Sequence, residues 1–329
     1  LILWRSTSQW IGGLYFLFSL ILLIEIFDVN LKKPLTNFLS FNTSETYKQS
    51  AKILFLYTFL TLVIFITLNI FDIRSFNSFN LSMTIISSGG FLPTNNLENI
   101  INSKTKEIVL SLTMLISFFS LLLSYNLFTI KKKSLSFFQE DFYLLVYFFI
   151  LIILFFFVLN ISNSFSTLFV SLASSVSNIG ISLPGSYERI SFIFLIITII
   201  GGSFFSTSSG IRLVKIYSLF KFSINELASH AKPLNIFINK LEFSGTKLEI
   251  NDINKYFISV LIFILSLIIL SLLLTSSGIN LENAFKLSIL TLTNTVNSNM
   301  HGINDFDFNE LQYFTKYFLV IFMIIGRVE

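Results

Sequence analysis

Ser87-Ser88-Gly89-Gly90-Phe91 is a short turn between two apolar stretches, and the chain has two more of this kind, Ser177-Asn178-Ile179-Gly180-Ile181 and Asn294-Thr295-Val296-Asn297-Ser298. The segments before the turns, about 74 to 87, 163 to 178 and 280 to 295, are richer in Ser, Thr and Asn than their flanks. A helix needs ~20 apolar residues to cross a bilayer, so these segments are too short and too polar to span it. Each predicts a half-membrane helix whose C-terminal carbonyls favour a cation.

The repeated unit of a polar short segment and a turn places irregular backbone at membrane depth. Irregular backbone is tolerated at membrane depth only where it is buried in protein or lines a watery cavity. Carbonyl oxygens of such backbone can replace the hydration shell of an ion. The three turns therefore indicate a cation pore.

The composition is that of a membrane protein. Hydrophobic residues make up 53% of the 329 residues and charged residues 12%, against roughly 25% charged residues in soluble domains, and the mean hydropathy is +0.79. We predict an all-α polytopic membrane protein in which repeated units of membrane helix, pore loop and membrane helix surround a central cation pore. The predicted spans are about 10 to 27, 53 to 71, 107 to 128, 142 to 159, 189 to 220 (interrupted), 256 to 274 and 311 to 328.

Basic residues concentrate in three linkers between the predicted spans, around 28 to 52, 131 to 140 and 212 to 255. These linkers hold Lys32, Lys33, Lys48, Lys52, Lys131, Lys132, Lys133, Arg212, Lys215, Lys221, Lys232, Lys240, Lys247 and Lys255. Lys and Arg are enriched in cytoplasmic loops, so we predict that the linkers are cytoplasmic and that the turns face the outer side. Membrane topology explains the net charge of +4 better than nucleic-acid binding does.

A run of small residues interrupts the apolar stretch from 189 to 220. Its members are Gly201, Gly202, Ser203, Ser206, Thr207, Ser208, Ser209 and Gly210. Hydroxyl groups can satisfy the backbone groups that a broken membrane helix releases. The run predicts either a flexible break suited to a gate or close helix packing through small residues.

Arg327 is a charged residue near the end of the last predicted span. An intramembrane cation is costly and usually faces the protein interior or a wet cavity. At the membrane boundary the same side chain would extend its charged end into water. The residue pattern allows both interpretations.

The order of these motifs resembles the TrkH family of bacterial potassium-uptake proteins, relatives of KtrB. The stretches Trp4-Arg5-Ser6 and Gln9-Trp10-Ile11-Gly12-Gly13-Leu14 resemble the start of the second helix of the family's first repeat. The turns at Gly90 and Gly180 resemble its second and third filter segments, and Gly201 to Arg212 resembles the break in its third repeat. Ile325-Gly326-Arg327-Val328-Glu329 resembles its last-helix motif.

The resemblance implies four pseudo-equivalent repeats around one filter of backbone carbonyls that binds potassium. The implied filter residues are Ser88, Gly89, Gly90, Asn178, Ile179, Gly180, Thr295, Val296 and Asn297. At the glycine position of the fourth repeat the chain offers Asn297, or Val296 in another register, and Asn tolerates left-handed backbone. The run from Gly201 to Gly210 would be an intramembrane gate below the filter, with Arg327 as an electrostatic barrier.

The resemblance also divides the chain into repeats. Residues 1–27 would be the second helix of the first repeat, 53–130 the second repeat, 141–220 the third repeat with its broken inner helix, and 255–329 the fourth. The outer helix and filter segment of the first repeat would lie upstream of Leu1. We therefore expect the chain to be a fragment of a longer one.

The resemblance further implies a multi-pass protein of the bacterial cytoplasmic membrane. It would form a homodimer in membrane lipid and bind a TrkA-like nucleotide-binding regulatory subunit through the linkers around 131 to 140 and 221 to 255. Potassium would be the substrate, with no cofactor and no nucleic-acid partner. Two alternatives are a nonfunctional transporter fragment and a polytopic membrane enzyme, although no phosphate loop, His-Glu-x-x-His motif or Ser/His/Asp spacing favours an enzyme.

Overall fold

The structure, a computed structural model, describes residues 1–27, 46–94, 97–119, 121, 138–158, 164–185, 190–203, 205–230, 242–243, 246–247, 250–303, 308 and 311–327. Its helices are α1 (Ile2–Phe27), α2 (Thr46–Ile70), α3 (Ser75–Ile86), α4 (Lys104–Phe118), α5 (Phe138–Ile153), α6 (Phe165–Val176), α7 (Ser191–Ile199), α8 (Leu213–His230), α9 (Ile250–Ser276), α10 (Leu281–Leu292) and α11 (Tyr313–Arg327). A π-helical turn at Leu154–Val158 continues α5, and 3-10 turns lie at Leu97–Asn99 and Asn299–His301.

The strands in the described part of the chain are two residues long. β1 (Ile200–Gly201) pairs in parallel with β2 (Ile211–Arg212), and β3 (Glu242–Phe243) pairs antiparallel with β4 (Thr246–Lys247). The predicted all-α architecture is confirmed. The predicted break between 189 and 220 is the segment that β1 and β2 enclose, between α7 and α8.

The predicted spans correspond to α1, α2, α4, α5, the pair α7 and α8, α9, and α11. Their parts at 120, 122–128, 159, 189, 204 and 328 lie outside the described residues, as does about half of the basic linkers. Within the described part of the chain, the segments Ser50–Ile70 and Ile253–Ser276 are long and apolar enough to cross a membrane.

The three polar segments form α3, α6 and α10, here called the short helices, each of 12 residues. At 1.5 Å per residue such a helix is about 18 Å long, which is about half of a membrane crossing. In α6, every residue from Ser166 to Val176 except Thr167 is buried. In α3 and α10 the buried residues concentrate in the second half, so protein encloses α6 and the C-terminal ends of α3 and α10.

The short helices have equivalent neighbours. The helices α1, α2 and α4 pack around α3. The helices α4, α5 and α7 pack around α6, and α7, α9 and α11 pack around α10. Each short helix thus lies between the flanking helices of its own repeat and a helix of the repeat before it, which brings the C-terminal turns of all three together.

Candidate functional site

The three short helices end in the same backbone geometry. Their turns at 87–91, 177–181 and 293–298 are here called the second, third and fourth turns, after the predicted repeats to which they belong. The amides of Gly89, Ile179 and Thr295 donate to carbonyl oxygens five residues earlier, at 2.8, 3.0 and 2.9 Å. The residue before each of them has left-handed backbone: Ser88 (φ 52°), Asn178 (φ 58°) and Asn294 (φ 49°). A left-handed residue followed by such a bond is a Schellman helix end, which satisfies carbonyls that the last turn of a helix leaves free.

This geometry determines the register of the fourth repeat. In the second and third repeats, a glycine with positive φ follows two residues after the left-handed residue, Gly90 at 79° and Gly180 at 82°. The same count from Asn294 leads to Val296, whose φ is not positive. The prediction that Asn297 holds the glycine position is thus corrected to Val296, the alternative register. Asn297 lies one residue beyond, and its side-chain amide donates to the Ile303 carbonyl at 3.3 Å.

A hydroxyl residue precedes each left-handed residue and marks the same register in the sequence. The hydroxyls of Ser87, Ser177 and Thr293 donate to the carbonyl four residues earlier, at 2.8, 2.6 and 2.9 Å. Aligning these hydroxyl residues, instead of the glycines, would have identified Val296 from sequence alone. The stretch compared in the sequence analysis begins at Asn294 and so omits Thr293, the equivalent of Ser87 and Ser177.

The segments after the turns approach one another through backbone atoms. They are here called the second (89–91), third (179–181) and fourth (295–297) extended segments. A Cβ atom on Gly90 would clash with the carbonyl oxygen of Ile179 and lie 2.6 Å from Cγ2 of Val296. A Cβ atom on Gly180 would clash with the carbonyl oxygen of Val296 and lie 2.6 Å from its amide nitrogen. Because glycine alone avoids these clashes, both glycines are required for the convergence of the three segments.

Polar side chains that the sequence analysis did not single out hold the second turn. Gln9 of α1 donates from Nε2 to the Gly89 carbonyl at 2.7 Å. The Thr84 hydroxyl lies 2.9 Å from the Phe91 carbonyl and 3.2 Å from Oε1 of Gln9. The helix of the predicted first repeat thus contacts the second extended segment directly.

The third turn has a related support. The Ser174 hydroxyl, at the position equivalent to Thr84, accepts from the Ile181 amide at 2.7 Å. The Asn178 side-chain amide donates to the Thr198 carbonyl at 2.7 Å and lies 3.4 Å from the Thr295 hydroxyl. Asn178 therefore links the third turn to α7 and to the fourth turn. The polar side chain of Asn178 was the available sequence signal for this role.

The segment from Gly201 to Gly210, here called the small-residue loop, is folded back on itself. The pairing of β1 with β2 closes the loop. A Cβ atom on Gly201 would clash with the Ser209 carbonyl oxygen, and Gly210 has φ 83°. The Ser208 hydroxyl accepts from the Gly202 amide at 2.8 Å and lies 2.9 Å from the Ser206 hydroxyl. A serine hydroxyl thus satisfies a backbone amide of the broken helix, as predicted, at Gly202.

The small-residue loop is attached to the second turn and to α4. The Thr207 hydroxyl donates to the Ile86 carbonyl, at the end of α3, at 2.7 Å, and lies 3.4 Å from the Ser88 hydroxyl. The Ser203 amide donates to the Phe118 carbonyl at 3.0 Å. The loop predicted as a gate is therefore in direct contact with a turn predicted as part of the filter.

Two arginines bind the small-residue loop. Nη1 of Arg212 donates to the Ser203 carbonyl at 2.8 Å and to the Ser206 hydroxyl at 3.0 Å. Nη1 of Arg327 donates to the Ser209 hydroxyl. Both guanidinium groups lie over the Phe16 ring of α1, at 5.9 Å for Arg212 and 4.2 Å for Arg327.

These contacts change the interpretation of Arg212. The sequence analysis counted Arg212 among the basic residues of a cytoplasmic linker, whereas the structure buries it, with only 6% of the residue exposed. It is a loop-binding residue, and its position directly after Gly210-Ile211 was the signal for this. For Arg327, the contact with Ser209 is what the barrier hypothesis requires, since it places the charge against the loop.

The architecture is that of an all-α polytopic membrane protein whose repeated short helices end at one convergent site. No protein-family model and no curated protein matches the chain. Among solved structures, the chain is similar to the potassium transporter TrkH from Vibrio parahaemolyticus, with a TM-score of 0.83 over 99% of this chain and 70% of that chain. The sequence identity is 17%, so the similarity shows a TrkH-like fold.

Proposed function

We propose that the chain is the pore-forming part of a potassium-uptake protein of the bacterial cytoplasmic membrane, and not an enzyme. The observation that carries the proposal is the convergence of three identically ended short helices at Gly90, Gly180 and Val296. Carbonyl oxygens presented by such segments can replace the hydration shell of a cation. The similar structure is named as a potassium transporter, which supports potassium as the ion.

In this proposal, the ion path is lined by Ser88, Gly89, Gly90, Asn178, Ile179, Gly180, Thr295 and Val296. The small-residue loop and Arg327 obstruct the path on one side of these residues. The bond from Thr207 to the Ile86 carbonyl supports this arrangement, because it holds the loop against the end of a short helix.

The proposal extends to partners. We infer a homodimer in membrane lipid with a nucleotide-binding regulatory subunit that contacts the basic linkers around 131 to 140 and 221 to 255. The family resemblance supports these partners, and the parts of the linkers at 131–137, 231–241, 244–245 and 248–249 lie outside the described residues. Potassium is the transported substrate, and no cofactor takes part.

Rubidium uptake tests the proposed function. The natural full-length protein, expressed in a host without its own potassium uptake, should take up rubidium, and potassium should compete better than sodium. Gly180→Ala should abolish this discrimination, since the added Cβ atom clashes with the Val296 carbonyl. The matched control is Gly12→Ala in α1, where an added Cβ atom meets nothing within 4 Å. A parent protein that reaches the membrane but takes up no rubidium contradicts the proposal.

A further inference from the structure

Lys286 is a buried basic residue on α10, at a position where the other short helices carry no charge. It is 9% exposed. The equivalent residues are Asn80 in α3 and Val170 in α6, both fully buried. Burying a charged group is costly unless it is paired and hydrogen-bonded. The ammonium group of Lys286 therefore needs an ionic partner and hydrogen-bond acceptors, which the uncharged residues at the equivalent positions do not need.

Those partners are on α10 itself and at the end of the 3-10 turn that follows the fourth extended segment. Nζ of Lys286 lies 2.6 Å from Oε1 of Glu282, one helical turn away. It also donates to the Gly302 carbonyl at 3.1 Å. Gly302 has φ 65° and ends the 3-10 turn, and a Cβ atom there would lie 2.9 Å from the Ser191 hydroxyl of α7. The bond from Lys286 to the Gly302 carbonyl thus links the tightly packed 3-10 turn to α10.

The rest of this turn is closed by local bonds. Nδ1 of His301 accepts from the Ser298 amide at 3.2 Å, and Asn297 donates to the Ile303 carbonyl. Burial lowers the pKa of His301 to about 3, so the ring is neutral, and the bond from the Ser298 amide assigns the ring proton to Nε2. These bonds shape the turn, whereas the bond from Lys286 ties it to α10.

We propose, on the basis of the pore function proposed above, that Lys286 is a positioning residue for ion selectivity. Its bond to the Gly302 carbonyl holds the fourth extended segment at the distance from Gly180 that decides which cation is accepted. Side-chain bonds to backbone also hold the second and third extended segments, from Gln9 and Ser174, and Lys286 is the counterpart in the fourth repeat. Loss of the bond releases the Gly302 carbonyl from α10 and lets the Val296 carbonyl move.

The test compares variants of the full-length protein in rubidium uptake competed by sodium and by potassium. Lys286→Met keeps the length of the side chain and removes the donor. It should lower the preference for potassium over sodium by about tenfold, as expected for loss of one charge-assisted hydrogen bond. Lys286→Arg should restore most of the preference. The control, Glu282→Gln, alters the exposed partner of Lys286 and leaves the bond to the Gly302 carbonyl in place, so it should change the preference by less than about twofold.

A purely structural role would give a different result. Lys286→Met would then lower the thermal midpoint and the amount of protein in the membrane, while the remaining protein kept the parental ion preference. That outcome, with an active parent, overturns this inference alone. A parent without rubidium uptake overturns the proposed function and this inference with it. If Lys286→Met does not fold, Lys286→Gln keeps a shorter, neutral donor and must show the same direction of change.

Discussion

Val296 differs from its two equivalent residues in backbone freedom. Gly90 and Gly180 adopt φ values near +80°, and a residue with a Cβ atom rarely does. Cγ2 of the valine would also lie 2.6 Å from a Cβ atom on Gly90. The fourth segment therefore presents its carbonyls in a geometry unlike that of the second and third.

Val296→Gly should make the fourth segment equivalent to the others. We expect the preference for potassium over sodium to rise by about tenfold, because a Cβ atom opposes left-handed backbone by about 1–2 kcal/mol. Competition of rubidium uptake by each ion measures the change. Val296→Ala removes the two methyl groups but keeps the Cβ atom, so it should leave the preference near that of the parent. Equal preferences in the two variants would mean that side-chain size, and not backbone freedom, matters at Val296.

At the scale of elements, the small-residue loop is held by bonds from separate parts of the molecule. Thr207 bonds to the end of α3, Ser203 to the end of α4, and Ser209 to Arg327 of α11. A loop attached at several points can move only if these bonds break together or in turn. The bond from Thr207 is the one that joins the loop to a predicted filter turn.

Thr207→Val removes the hydroxyl donor and keeps the shape of the side chain. If the loop obstructs the ion path, basal rubidium flux into reconstituted vesicles should rise by about two- to tenfold, the effect of losing one neutral hydrogen bond of about 0.5–1.5 kcal/mol. Ion preference should change less than flux does. Thr207→Ser retains the hydroxyl and should behave as the parent. A folded Thr207→Val protein with parental flux would assign the loop to packing between helices.

The sequence predicted these elements well where hydrophobic length decides the structure. The polar segment predicted at about 163 to 178 became the helix Phe165–Val176, and the predicted break became the loop between α7 and α8. Prediction succeeded here because a stretch shorter than ~20 apolar residues cannot span a bilayer. Patterns of this kind need no knowledge of which elements become neighbours.

The contacts within the site were less predictable. Gln9 lies 80 positions from Gly89 along the chain, and no local pattern indicates that its amide reaches that carbonyl. Arg212 was misassigned because most basic residues near span ends face water, while this one folds back onto the loop. Lys286 was overlooked because a lysine at i+4 from a glutamate is common on exposed helices. Each of these roles depends on which elements pack together, and that is a property of the tertiary structure.

At the scale of the whole molecule, α11 connects the fourth turn to the small-residue loop. The side-chain amide of Asn294 donates to the Met323 carbonyl at 3.0 Å, and Arg327 donates to Ser209. Between them, Gly326 lies so close to α10 that a Cβ atom there would clash with the Leu292 carbonyl oxygen. The glycine sets the distance between the two helices, and with it the reach of Arg327.

Gly326→Ala should therefore act at two places. Backbone cannot give way as a flexible side chain would, so α11 has to move away from α10, and overpacking of this kind lowers the free energy of unfolding by about 1–3 kcal/mol. The same displacement should weaken the bond between Arg327 and Ser209 and raise basal rubidium flux. Thermal unfolding in detergent and flux into vesicles measure the two effects. Gly12→Ala is again the matched control, since its added methyl group contacts nothing.

The combination of results distinguishes packing from gating. Loss of stability together with raised flux means that the separation of α10 and α11 positions the arginine on the loop. Loss of stability with parental flux means that the loop holds its place without Arg327, because the bonds from Thr207 and Arg212 suffice. Parental stability and parental flux would contradict the close approach of the two helices at Gly326, since an added Cβ atom at that position cannot be accommodated without a shift of backbone.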